Sequence, residues 1–258
     1  MPMSVVRDFF AGVGYLGKGI GLWFRSPRLL ALGLIPAIIA GAVLLTAMIF
    51  FWVNVGDIAT WMTPFADSWD ETGRDVFRFT AAALLVGVSL LLGVLLYTAL
   101  TLAIGDPFYE KISERVEDSR GGVTGEVQLS LARSIGRSIV DSLRLVGKSL
   151  LFGIVLFALG FIPVVGQTVV PVLGALVGGW FLTMELTSVP FERRGLRVWD
   201  RRRILKGRRA LAVGFGTATF LCFLVPGGAI LVTPAAVAGA TLLAREVLGE
   251  RPQHVDQG

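Results

Sequence analysis

Residues 161–174 read FIPVVGQTVVPVLG, and residues 223–239 read FLVPGGAILVTPAAVAG. Each sets two prolines, Pro163 with Pro171 and Pro226 with Pro234, at the same spacing around a glycine turn. Proline withholds the backbone donor that a helix interior needs, and glycine accepts a left-handed backbone at little cost. The chain therefore breaks its most apolar segments at mid-length, twice, with one device.

The two breaks lie within two of four charge-free runs, at 29–56, 79–105, 149–184 and 210–244. The 258 residues are 54% hydrophobic and 17% charged, with a mean hydropathy of +0.72. Soluble domains carry about 25% charged residues, and about 20 apolar residues span the hydrocarbon layer. This composition reads as an integral membrane protein. The single cysteine, Cys222, sits in an apolar run, so a disulfide framework is excluded. The N-terminal stretch MPMSVVRDFFAGVGYLGKG lacks an apolar core followed by a small-residue cleavage site, and is expected to be retained.

Charge sets the topology. If the third and fourth runs each return to the side they left, all but Arg74 and Arg78 of the 24 Lys and Arg residues fall on one side. The excess of Lys and Arg in cytoplasmic loops then puts both termini and both large loops in the cytoplasm. The acidic 57–78 loop, with Asp57, Asp67, Asp70, Glu71 and Asp75, is outside. The first two runs each cross once. Two comfortable spans and a turn need more than about 40 residues, more than the third or fourth run offers. Each of these is either a pair of minimal spans or a re-entrant helical hairpin with its tip near Gly166 or Gly227–Gly228. Irregular backbone at membrane depth is tolerated only where protein or a water-filled cavity covers it. The tips are therefore the first candidates for function.

Between the runs, GDPFYEKISERVED (105–118) reads as the start of a helix, with Asp106 as cap and Pro107 in the first position. Leu131, Ile135, Ile139, Leu143 and Val146 keep helical spacing opposite Arg133, Arg137, Asp141, Arg144 and Lys148, an amphipathic surface helix. Residues 4–24 repeat that pattern, loosened by five glycines, with an apolar side that includes Val6, Phe10, Leu16 and Trp23.

GVGYLG (12–17) matches the letters of a dinucleotide fingerprint but follows no strand, and no acid lies about 20 residues on; glycine-rich packing explains it better. His254, the only histidine, is in the polar tail, which removes histidine triads and leaves no metal cluster. The basic run 192–209 reads as a topology signal with anionic lipid contact, rather than as a nucleic-acid site. Glu185 is an ionisable group near the end of the third run: an intramembrane acid with a function, or a group hydrated at the interface. Gln167 and Thr168 at the first tip could line a path or cap a helix. The second tip offers the amides of Gly227 and Gly228 with Thr233, and free N–H groups at a helix start suit an anion.

IPVVGQTVVPVLGALVGGWFLTMELTSVPFERRG, PGGAILVTPAAVAGATLLARE and DPFYEKISERVED together resemble the CysZ sulfate permeases, a group that includes the etoposide-induced 2.4-type membrane proteins. The resemblance covers most of the chain and is strongest from 161 to 246. It implies a single domain over 1–258, with about 251–258 a polar tail. The implied fold is all-α: two long transmembrane helices, two re-entrant, half-penetrating helical hairpins and cytoplasmic amphipathic helices. It also implies a homo-oligomer in a bacterial inner membrane that takes up sulfate without ATP hydrolysis. One stretch departs. Where the family's sulfate-binding segment has two arginines, SPRLLALGLIP (26–36) has Leu30 and Ala31, and Arg28 stands in place of a glycine.

The expected function is passive transport of sulfate or a related oxyanion, with neither enzyme chemistry nor a cofactor. Arg28 is the main anion contact and Arg25, three residues earlier on the same helix side, the helper. The alternative is a non-transporting membrane protein that binds lipid or a partner through its amphipathic helices and basic loop.

Overall fold

The computed structural model describes residues 2–123, 146–147, 149–162, 164–225 and 227–250. The expected amphipathic helix around 131–148 apart from Val146 and Gly147, together with Pro163, Pro226, His254 and the rest of the polar tail, lies outside the described residues. The described elements are all helical. They are α1 (Pro2–Arg25), α2 (Pro27–Val53), α3 (Val55–Met62), a 3-10 turn (Pro64–Ser68), α4 (Glu71–Asp118), α5 (Ser149–Gly160), α6 (Val165–Leu186), α7 (Ser188–Glu192), α8 (Val198–Gly207), α9 (Arg209–Phe223) and α10 (Gly228–Val247). Four of them, α2, α4, α6 and α10, are long and apolar enough to cross a membrane.

The chain forms two compact units, Leu34–Asp106 and the remainder, residues 1–33 with 107–258. In the first, the Tyr97 hydroxyl donates to the Ala37 carbonyl (3.3 Å) and the Trp52 indole to Ser89 Oγ (2.9 Å). These bonds tie the two apolar helices together where few other polar groups exist. The connection between them is closed by Arg78, which donates to Asp67 (2.6 Å) and Thr63 (3.3 Å). The rings of Phe65, Trp69 and Phe77 stack edge to face beside it.

The helix expected to begin at Asp106 does not begin there. It is the last third of α4, which runs unbroken through Pro107. One missing N–H is tolerated inside a long membrane helix where neighbouring groups and local adjustment of the backbone re-satisfy the freed carbonyl.

In the second unit α10 is the central helix. Of its most apolar 18-residue window 78% is buried, against 17% or less for α2, α4 and α6. Helix α1 lies against α9 and α10, and glycine decides how closely. A Cβ on Gly12 would collide with the Leu211 carbonyl of α9, and one on Gly214 with the Phe9 carbonyl of α1. Gly19 and Gly239 make the equivalent pair with α10, against Ala235 and Tyr15. Backbone meets backbone at both contacts, the arrangement small residues permit between membrane helices. The glycine-rich stretch is thus packing surface on a helix. Within GVGYLG itself only Gly12 serves it; Gly14 and Gly17 face open space.

Candidate functional site

The two interrupted hairpins turn by related means. After the first break Val164 takes φ 70°, and after the second Gly227 takes φ 77°. At the tip expected near Gly166 the positive φ falls on Val164, and Gly166 is glycine for another reason: a Cβ there would strike the Gly160 carbonyl across the turn. Gly228 faces the Cys222 carbonyl in the same way. The left-handed residue of the first hairpin is a β-branched valine, an unfavourable choice that no sequence pattern announces.

The polar groups of both tips are largely used by the turns themselves. The Gly166 amide donates to the Ile162 carbonyl (2.8 Å) and the Gly228 amide to that of Val225 (2.7 Å). Thr168 Oγ1 donates to the Val164 carbonyl (2.6 Å), and Thr233 Oγ1 to that of Ala229. Gln167 is exposed at the first tip. Pro234, the second proline of the later hairpin, packs on Gly33, where a Cβ would strike its ring.

Arg25 and Arg28 lie on different helices. Arg25 ends α1; Ser26 then caps α2, its Oγ accepting from the Leu29 amide (3.4 Å), and Pro27 opens the new helix. The same-side argument from helical spacing therefore does not hold, because the ladder is interrupted between them. Both arginines are exposed, and among the described residues neither has an ion-pair partner. Among the described residues no hydrogen bond or ion pair joins them to either tip. Glu185 is exposed one residue before the end of α6.

A second polar centre was not anticipated. Glu117, at the end of α4, is fully buried and accepts from Arg194 Nη1 (2.7 Å) and Nη2 (3.0 Å) and from Arg245 Nη1 (2.6 Å). Arg194 also holds Glu250 through Nε (2.7 Å) and Nη2 (2.6 Å), while Arg245 donates to the Gly122 and Arg120 carbonyls. Burial alone would lower the Arg194 pKa, but its bonds to Glu250 and Glu117 outweigh that and raise it. The Arg194 hydrogen bond in turn holds the Glu250 carboxyl below the usual range. The cluster ties together the ends of α4 and α10 and the turn after α7. Glu117, Arg194 and Arg245 belong to the three stretches that carried the family resemblance, DPFYEKISERVED, PFERRG and ATLLARE. No spacing in the sequence singled these residues out: only Arg245 directly follows an apolar run, while Glu117 and Arg194 lie well past the ends of theirs.

Beside it, Tyr15 of α1 is pushed up to about 12 by burial and by the neighbouring Glu246 carboxylate. It stays protonated at ordinary pH.

Four apolar helices long enough to cross a bilayer, two of them entered through a broken turn and one buried at the centre of its own unit, define a helical integral membrane protein. Its place among such proteins follows from comparison with known sequences. Residues 15–234 match the family described as Sulfate transporter CysZ/Etoposide-induced protein 2.4, and the chain belongs to that family. A Pseudomonas fluorescens protein named "Sulfate transporter CysZ" is 30% identical over 245 residues, 94% of each chain. A Pseudomonas aeruginosa protein of the same name is 27% identical over 93% of this chain and 97% of its own. One from Pectobacterium atrosepticum is 31% identical over 57% of this chain, and there the match spans about half of the relative, 54%.

Proposed function

We propose that this protein carries sulfate or a closely related oxyanion passively across a bacterial inner membrane, as a homo-oligomer with both termini in the cytoplasm. The observation that carries the reading is the near full-length relation, 94% of both chains, to a protein named as a sulfate transporter. The length of the entering helix of the second hairpin supports half-penetration there. Helix α9 has 15 residues, about 22 Å at 1.5 Å per residue, against a hydrocarbon layer about 30 Å thick. A helix that short, begun beside Arg208 and Arg209, reaches its turn inside the layer. Arg28, exposed and without an ionic partner among the described residues, is the proposed first contact for the anion, and Arg25, at the end of the preceding helix, the proposed helper. Movement of an anion through such a path needs no covalent step.

The test is radiolabelled sulfate uptake into vesicles containing the purified protein, with protein-free vesicles as control. Uptake that dissipates with the sulfate gradient and falls in Arg28→Ala supports the reading. No uptake above the control refutes it and leaves the lipid- or partner-binding role. Orientation is tested separately, with cysteines placed at Ser68, Ser119 and Arg202 in a Cys222→Ser background. An impermeant thiol reagent should label intact cells only at position 68.

A further inference from the structure

We infer that the outward face of α8 is a binding surface for anionic phospholipid headgroups. Arg201, 3% exposed, and Leu205, fully buried, fix this helix to its unit, and Val198 and Ile204 pack against the same core. The opposite face carries Trp199, Arg203 and Lys206, at i, i+4 and i+7, which a helix brings onto one side. Trp199 is 59% exposed; Arg203 and Lys206 are exposed and have no ion-pair partner among the described residues. Arg209, exposed at the start of α9, extends the patch. The one acid on α8, Asp200, accepts from the Arg197 amide (3.0 Å), so its charge serves the start of the helix. What remains is a cationic surface with an indole at its centre.

The position of α8 decides the partner. Only Arg208 separates it from α9, whose far end exposes Leu221 with Leu224 just beyond, in an apolar hairpin. A surface at that border meets the phosphates of the nearest leaflet at high and constant concentration. Trp suits the border because its ring is apolar and its N–H polar. Lys and Arg beside an anionic leaflet each strengthen contact roughly five-fold, and salt screens the effect. A soluble oxyanion can accept from the indole N–H but offers no apolar surface for the ring.

The experiment uses the full-length protein in vesicles of phosphatidylcholine mixed with phosphatidylglycerol, with one lipid at a time brominated near its headgroup. Quenching at Trp199 is isolated as the difference between wild type and Trp199→Phe. Wild type should favour phosphatidylglycerol several-fold at low salt, and the preference should shrink as salt rises. Arg203→Gln/Lys206→Gln, both at exposed positions and checked for an unchanged gel-filtration profile, should bring it close to one. Equal quenching by the two lipids in wild type would overturn the inference, as would a preference unchanged in the double variant. Relief of quenching by millimolar sulfate at constant ionic strength would reassign the site to a free oxyanion.

Discussion

Removing the carboxylate of Glu117 should cost more than any other single charge change in this protein. The side chain is fully buried and accepts three charge-assisted bonds, at 2.6, 2.7 and 3.0 Å. At about 1.5–3 kcal/mol each, these set an upper bound of several kcal/mol. The penalty of leaving buried cations unpaired points to about 3–5 kcal/mol for breaking such a cluster. The low end applies here, because Glu250 still holds Arg194 at 2.6 Å and Arg245 at 3.3 Å after Glu117 is lost. About 3 kcal/mol, at roughly 2–4 °C per kcal/mol for a chain of this size, lowers Tm by about 6–12 °C. The assay is thermal unfolding of Glu117→Ala in detergent, followed by gel filtration, within a double-mutant cycle with Arg245→Ala. The cycle should show coupling of more than about 1 kcal/mol between the two residues. A Tm loss under about 3 °C, or strict additivity, would refute the view that Glu117 is the hub of a buried ionic cluster.

Val164→Gly should stabilise the protein by about 1 kcal/mol, because a β-branched residue pays to hold φ 70° and glycine does not; an unchanged or lower Tm would count against that backbone. Gly12→Val and Gly214→Val should abolish a monodisperse peak in detergent, since each puts side-chain atoms into the carbonyl of a facing helix, whereas Gly14→Ala and Gly17→Ala, which meet open space, should be neutral or mildly stabilising. Because the Glu250 carboxyl is depressed in the folded state, its contribution is complete above the ordinary carboxylate value of about 4.5 and is lost as pH falls through the lower, folded value. A Tm profile over that acid range should therefore be flatter for Glu250→Gln than for wild type, with the two parallel at neutral pH.

By itself the sequence determined the lipid-facing half of this protein. Long charge-free runs, paired prolines and glycines are one-dimensional signals, and the bilayer makes them sufficient: an apolar run in hydrocarbon must close its own hydrogen bonds, so its length and breaks translate directly into helices and turns. Pro107 marks the limit of that reading, since a residue that elsewhere would start a helix lies inside α4. Only the tertiary structure decided the rest. It made α10 the buried helix, though its hydropathy of 1.5 is below the 2.5 of α2 and α4, which face outward. It put the left-handed backbone on Val164 rather than on the nearby Gly166. It also brought Glu117 to Arg194 and Arg245, 77 and 128 residues away along the chain. Hydropathy and spacing describe what each segment prefers; which charges neutralise one another depends on how helices pack across those separations, and no local pattern encodes it.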